Sequence, residues 1–298
     1  MNPNGDNQPL VSVLMTCYNR EKYIAEAINS VLNSTYHNWE LIIVDDQSKD
    51  NTVAIAESFA KDDARIRVYR NEKNLGDYPN RNKAASYAKG RYIKYLDSDD
   101  LLYPFGLEIM IYWMEKHPDC GLGLEIFSSY DDKPFPFELT GEEAYMMHYF
   151  SGNLPIFSVA PGSAIIKKEC YAAVGGFPEK RNIGDYEMWH IIARKYKILV
   201  MRDMIYWSRV HEGQQMEIKR SDLIEASLYY KVTLDNIKQS PLSQQLQDKV
   251  YNKIRHAAVR NYVRQYFRFA NGQRKQYKDA FNITINDMIK AVIKSQAE

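Results

Sequence analysis

The chain has 298 residues, of which 45% are apolar and 26% charged, with a formal net charge of +1. That length suits one large domain or two modest ones, each able to bury a core without a disulfide or metal staple. Ordinary apolar content and near-zero charge exclude default disorder, and near-neutrality argues against a nucleic-acid coat, so no nucleic-acid partner is expected.

Cys17, Cys120 and Cys170 are odd in number and lack C-x-x-C spacing, which points to a reducing, cytoplasmic setting. Residues 1–9 (MNPNGDNQP) are polar and are read as a disordered tail without a signal peptide. No uncharged apolar run reaches the roughly 18 residues of a membrane span. The small net charge is a cancellation. Residues 217–298 carry 15 Lys/Arg against 8 Asp/Glu, while the remainder carries 24 against 30. The 23 tyrosines could stack on sugars or bases, but packing explains them as well.

The first hundred residues alternate strand and helix. Residues 10–16 (LVSVLMT) read as a buried strand, and Ile24, Ala27, Ile28 and Val31 recur at helical spacing. A strand at 40–45 (ELIIVD) precedes a helix at 50–60 opened by Asp/Asn/Thr chemistry. A strand at 65–69, a helix at 80–89 closed by Gly90 as its C′ residue, and a strand at 91–96 follow. This alternation predicts an α/β fold with βαβ units and a mainly parallel, Rossmann-like sheet, with helices on both faces. Ligands in such sheets sit beyond the carboxyl ends of the strands.

Further on, 104–116 reads as helical, and Thr140-Gly-Glu-Glu143 is a capping box opening a helix to about 150. A strand at 163–166, a turn at Gly175-Gly176-Phe177-Pro178 and a helix at 185–195 come next. Short strands are expected at 198–201 and 205–210, and only helix from 221 onward.

Acidic residues gather where strands end. The second strand runs into Asp45-Asp46 and the fourth into Asp97-Ser98-Asp99-Asp100. Neighbouring parallel strands would place these five carboxylates on one rim, a costly repulsion unless a cation or a donor-rich ligand sits there. Oxygen-only ligands suit Mg²⁺ or Mn²⁺, which also bind substrate phosphates. The competing reading is N-capping, by Asp100 of a helix after Leu101 and by Asp50 of the one before Val53.

Six segments then appear in family order: VSVLMTCYNREKYIAEAINSVL, ELIIVDDQSKDNT, NLGDYPNRNKAASYAKGRYIKYLDSDD, SAIIKKECYAAVGGFPE, GDYEMW and SRVHEGQQ. Over roughly residues 10–215 the sequence resembles the family 2 glycosyltransferases, which have the GT-A fold. The resemblance implies a GT-A domain over 10–216 and leaves 217–298 as a basic helical extension.

It also implies roles. Thr16 and Tyr18 would contact or stack on the nucleotide base, Asp46 would accept from a base N–H, and Arg81 would lie near the nucleotide. Asp97-Ser98-Asp99 matches the D-x-D motif, with Asp97 facing ribose or sugar and Asp99 binding Mn²⁺ or Mg²⁺. Asp185 matches the catalytic base of E-D-x-x-x-W, although Gly184 replaces the usual acidic neighbour; Trp189 is acceptor wall or core. His211 would complete the metal or diphosphate site and Arg209 would lie near the phosphates, with Gln214 and Gln215 unassigned.

The implied activity is an inverting, metal-dependent transfer from a nucleotide-diphosphate sugar, UDP favoured, to a hydroxyl of a glycan or lipid-linked glycan. The alternative is an inactive sugar-nucleotide-binding scaffold. A phosphatase with the same D-x-D would want the motif nearer the N-terminus, and dinucleotide chemistry would want G-x-G-x-x-G. In the extension, His256, Arg260, Arg264 and Arg268 form a basic stripe at i, i+4, opposite Ile254, Ala258, Val259, Tyr262, Val263, Tyr266 and Phe267. Residues 253–270 are therefore the candidate for peripheral contact with an anionic membrane, on its inner face; the rival reading packs this helix on its own subdomain.

Overall fold

The computed structural model describes residues 8–126, 133–151, 156–180, 182–202, 204–211, 223–266 and 271–295. Contacts divide the chain into Met1–Arg209 and Val210–Glu298. The expected boundary at 216/217, like Gln214, Gln215, Arg268 and most of the N-terminal tail, lies outside the described residues.

The first unit runs β1 (Val11–Cys17), α1 (Ile24–Leu32), β2 (Trp39–Asp45), α2 (Thr52–Asp62), β3 (Ile66–Arg70), α3 (Asp77–Ser86), β4 (Tyr92–Tyr95) and β5 (Leu101–Leu102). It continues with α4 (Gly106–Lys116), β6 (Cys120–Glu125), β7 (Phe137–Leu139), α5 (Gly141–Phe150), β8 (Ala164–Lys167), α6 (Lys168–Val174), α7 (Gly184–Ala193), β9 (Lys197–Met201) and β10 (Tyr206–Trp207). Eight strands form one sheet in the order β3-β2-β1-β4-β8-β6-β9-β7. The first four are mutually parallel, β6 and β9 are parallel, β8 inserts antiparallel between β4 and β6, and β7 pairs antiparallel with β9 at the edge.

Alternation in β1 builds both faces. Val11, Val13, Met15 and Cys17 join a core with Ile24, Ile28 and Val31 of α1 and Leu107, Met110 and Met114 of α4. Tyr95 of β4, Tyr171 of α6, Phe177 of the turn before α7 and Trp189 of α7 form an aromatic group with ring centroids 5.3–6.5 Å apart. Trp189 is fully buried and donates Nε1–H to the Val159 carbonyl at 2.9 Å, which makes it core.

Several expectations change. β6 was not expected, because Gly121 and Gly123 break its apolar pattern. A Cβ at Gly123 would lie 2.8 Å from Met201 Cε and 2.9 Å from Ile165 Cγ2, so close packing of neighbouring strands selects glycine there. Leu101–Leu102 pairs with Tyr206–Trp207 as a short ribbon, and α4 begins only at Gly106. Asp100 therefore caps no helix. The expected strand at 205–210 shrinks to those two residues. α3 starts three residues before the expected helix because Pro79 sits in its first turn, where a missing N–H costs nothing. The capping box is present: Thr140 Oγ1 accepts from Glu143 N, and Glu143 accepts from Thr140 N at 2.8 Å.

Gly90 is not a helix C′ residue, since α3 ends at Ser86. It lies where β1 passes: its N–H donates to Ser12 Oγ at 2.8 Å, and an added Cβ would sit 2.6 Å from Leu10 O and Ser12 N.

The second unit holds α8 (Leu223–Ile237), α9 (Gln244–Gln265), α10 (Asn271–Ala280) and α11 (Ile285–Ser295). Its core contains Leu234, Ala258, Val259, Tyr262, Tyr277, Phe281, Ile283 and Ala291. Arg255 binds Asp287 at 2.7 Å, and Asp287 also accepts from Thr284 N and Oγ1, so these bonds hold its carboxyl well below the usual range. The apolar side of α9 is thus spent inside this unit, while His256, Arg260 and Arg264 are exposed.

Gly90→Ala places its Cβ against two backbone atoms that cannot rotate away. The variant should lose about 1–3 kcal/mol of stability in urea denaturation, whereas Gly272→Ala, with open space around it, should stay close to wild type.

Candidate active site

The parallel register of β1, β2 and β4 brings Thr16, Tyr18, Asp45, Asp46 and Asp97 to one edge of the sheet. Thr16 is half-buried and its carbonyl accepts from Ser98 Oγ at 2.9 Å, which ties the D-S-D turn to the end of β1. Tyr18 is 46% exposed beside it, the open ring that a stacking role requires.

Each acid on this rim has partners from the protein itself. Asp45 accepts from Ser48 N at 3.0 Å and faces Arg70 Nε at 3.5 Å. Asp46 clamps the 71–76 loop: Oδ1 accepts from Asn71 Nδ2 and Leu75 N, and Oδ2 from Gly76 N at 2.9 Å. Asp97 binds Arg81 Nη2 at 2.7 Å, and Asp99 binds Arg20 Nε at 2.9 Å. Asp100 accepts from Arg209 N at 2.9 Å; burial, and next the charge of Asp97, push its carboxyl up to about 7. The repulsion inferred from sequence is therefore answered by internal donors and guanidinium groups, and does not by itself require a bound cation.

Behind the turn lies Lys94, fully buried in β4. Its Nζ donates to the Gly162 carbonyl and to Tyr95 O. Burial lowers its amine to about 8, opposed by the negative fields of Glu125, Asp97 and Asp100. Arg81 is buried on α3 between Asp77, at 2.8 Å, and Asp97. Its Nη1 is a buried donor with no partner among the described residues. Such a group costs free energy unless a ligand takes the hydrogen bond.

Asp185 occupies the first turn of α7, and its Oδ1 accepts from Tyr78 OH and from Tyr186 N, both at 2.8 Å. α3 thus touches both acidic groups, Asp97 through Arg81 and Asp185 through Tyr78. Asn82 adds a third link. Its amide donates to Phe177 O and accepts from Phe177 N, each at 2.9 Å, docking the Gly-Gly-Phe-Pro turn that leads to α7.

Arg209 lies half-buried by the D-S-D-D turn. Its Nε donates to Asp99 O at 2.9 Å and its Nη2 binds Glu26 at 2.6 Å. His211 belongs to the second unit, where it is half-buried. Arg20, Tyr78 and Lys94 were not singled out from the sequence. The readable signal was Lys94, a charge in the otherwise apolar strand YIKY, which must find compensation when buried.

For a divalent cation, Asp97 and Asp99 offer hard oxygen donors, Asp97 with a third of its side chain exposed. Among the described residues no group of three His, Cys, Asp or Glu is gathered to hold a metal alone. The set fits Mg²⁺ or Mn²⁺ bound by one or two carboxylates with phosphate oxygens completing the shell.

The family model for glycosyl transferase family 2 matches residues 12–175. Glycosyltransferase GlyG of Streptococcus pneumoniae serotype 4 is 31% identical over 220 residues, 70% of this chain and 73% of that one. The Escherichia coli UDP-Glc:alpha-D-GlcNAc-diphosphoundecaprenol beta-1,3-glucosyltransferase WfgD is 45% identical over 108 residues, 36% of this chain and 42% of its own. S. aureus TarS 1-349, solved with UDP-GlcNAc, superposes with a TM-score of 0.68 at 21% identity, covering 95% of this chain and 81% of that one.

Lys94 gives a test of the charge balance. Its folded value near 8 lies below the ordinary 10.5, so between these pH values the unfolded chain holds a proton that the folded chain has released. Stability at this group therefore rises with pH across that window. Lys94→Met should remove the rise and, by leaving the Gly162 and Tyr95 carbonyls without their donor, cost about 1–3 kcal/mol, read by urea denaturation at neutral and alkaline pH.

Proposed function

The chain belongs to glycosyl transferase family 2 and is a glycosyltransferase with the GT-A fold, and we propose that it moves a sugar, with inversion, from a UDP-sugar to a hydroxyl of a lipid-linked glycan. The observation that carries this reading is the linkage through α3 of two separate acidic groups, one suited to a donor diphosphate and one to an acceptor. UDP-sugar use is supported by the names of WfgD and of the TarS complex, and a lipid-linked acceptor by that of WfgD.

A nucleotide diphosphate is already a good leaving group, so the chain needs no acid to protonate it. Tyr18 offers an exposed ring to the base, Thr16 lies at the strand end beside it, and Asp46 orders the adjoining loop. Arg81 Nη1 offers a buried N–H to the donor, while its other nitrogens hold Asp77 and Asp97. Asp97 is the donor-side carboxylate, and Arg209 adds positive charge near the turn. Mn²⁺ or Mg²⁺ at Asp99 would supply neutralisation of the diphosphate's charge. For His211 as a ligand, the support is its place in SRVHEGQQ alone. Asp185 takes the proton from the acceptor hydroxyl as that oxygen attacks the anomeric carbon. A single displacement inverts the centre and needs no second carboxylate flanking the bond, unlike glycosidase chemistry.

The three cysteines are free and buried, in keeping with a reducing, cytoplasmic setting. Among the described residues no helix is long and apolar enough to cross a membrane. Contact of α9 with an anionic surface would be electrostatic rather than insertive, because its apolar side is packed within its own unit.

Asp185→Asn should lower turnover about 10²–10⁴-fold while keeping the melting shift induced by UDP. In a melting screen of UDP-, GDP- and dTDP-sugars with Mn²⁺, UDP-sugars should give the largest rise. A larger rise with GDP-sugars would overturn uracil as the donor's nucleobase. Cosedimentation with anionic vesicles should occur at low salt and vanish by roughly 0.5 M. Binding that survives such salt would contradict the electrostatic reading.

A further inference from the structure

Asp185 stands in a local setting that the family pattern does not anticipate. The motif GDYEMW has glycine where the pattern E-D-x-x-x-W has an acid. A Cβ at 184 would lie 2.8 Å from Tyr78 Cγ and Cδ2 and 2.6 Å from the Pro178 carbonyl oxygen. The Tyr78 ring thus fills the space that any side chain at this position would take. The ring is itself fixed: Tyr78 is buried, tilted against Phe177 at 5.2 Å, and set by its place in the first turn of α3. From there its hydroxyl reaches Asp185 Oδ1 at 2.8 Å.

We propose that Tyr78 is the positioning residue for Asp185, its ring filling the space a side chain at 184 would take, with Gly184 providing the room that admits it. This rests on the reading of Asp185 as the base. Two donors on one oxygen, the Tyr186 peptide N–H on its own helix and the Tyr78 hydroxyl from α3, hold the carboxylate against rotation. The second donor comes from the helix whose Arg81 holds Asp97, so one short element sets both the base and the donor-side acid.

The chemistry of the pair is one-directional. Burial, then the charges of Asp185 and Asp77, push the Tyr78 phenol well above its ordinary value, so it remains a proton donor throughout the working range. A hydrogen bond donated to a carboxylate favours the charged form, the form a base needs. Among the described residues, the titratable groups around this contact are Asp77 and Arg81 on α3, with His148 of α5 and His190 of α7 bonded to Tyr186 beside it.

Tyr78→Phe keeps the ring and deletes the donor. In the full chain with carboxyl-¹³C aspartate, assigned by Asp185→Asn, the Asp185 titration midpoint should rise by about 1 pH unit in Tyr78→Phe. With the UDP-sugar found in the melting screen, kcat should fall about 10- to 100-fold with donor KM unchanged, and the acid limb of the rate profile should move up with the midpoint. On the Asp185→Asn background the same substitution should cause no further loss. An unmoved midpoint, or an equal loss on both backgrounds, overturns the positioning role. If Asp185→Asn turns over at the wild-type rate, the base assignment falls and this role falls with it. An inactive Asp185→Asn beside an unimpaired Tyr78→Phe overturns the positioning role alone.

Discussion

Everything at the rim depends on burying the polar face of α3. Its inward residues are Tyr78, Asn80, Arg81, Ala84 and Ala85, so most of the face it presents can hydrogen-bond. Burial of such a face is favourable only when the partners are in place, because an unmet buried donor forfeits its hydration without return. Each partner is a different part of the site. Tyr78 meets Asp185, Asn80 meets Asn71 and the Val44 carbonyl, Arg81 meets Asp97, and Asn82 meets Phe177. The helix docks once all of them are assembled, which couples the end of β2, the D-S-D turn and the start of α7 into one arrangement.

The same economy governs charge. Five aspartates converge where parallel strands end, and in a low-dielectric rim they would repel one another strongly. The structure places a guanidinium on Asp97 and another on Asp99, peptide N–H groups on Asp45, Asp46 and Asp100, and the buried Lys94 behind the turn. Arg81 is held by two acids and still has one buried nitrogen without a partner among the described residues. The arrangement is therefore balanced as an acidic surface yet keeps one strong donor in reserve, the condition in which an anionic ligand gains most from arriving.

Much of this was readable from the chain. Alternating apolar periods located β1 to β4, and the rule for parallel sheets pointed to the strand ends where Thr16, Asp46 and Asp97 stand. Strand β6 escaped because its pattern is interrupted by glycines chosen for what other strands press against them, and that pressure is not local information. Gly90 looked like a helix terminator for the same reason: a glycine announces that space is short without saying whose space. Capping by Asp100 failed because the two residues after it pair with a strand a hundred positions later. Arg20 and Tyr78 escaped because a polar side chain in a loop or first turn has the same local appearance whether it meets water or a carboxylate from far along the chain.

Gly184 shows where a linear reading of a motif and its physical content part. Matched position by position, glycine in place of an acid is a defect that weakens the site. In space it is one half of a trade, because the volume that the acid would take is filled by a tyrosine 106 positions earlier, whose hydroxyl bonds Asp185. The trade changes the sign of the local influence. A neighbouring carboxylate would repel the charge on Asp185, whereas a phenol donates to it and supports it. The two solutions exclude each other sterically, since the ring and a Cβ cannot occupy the same 2.8 Å. Whether a motif is intact is then a question about the set of donors and acceptors around its carboxylate. At Asp185 that set is complete enough to orient it, with one member drawn from the helix that also orients the other acid.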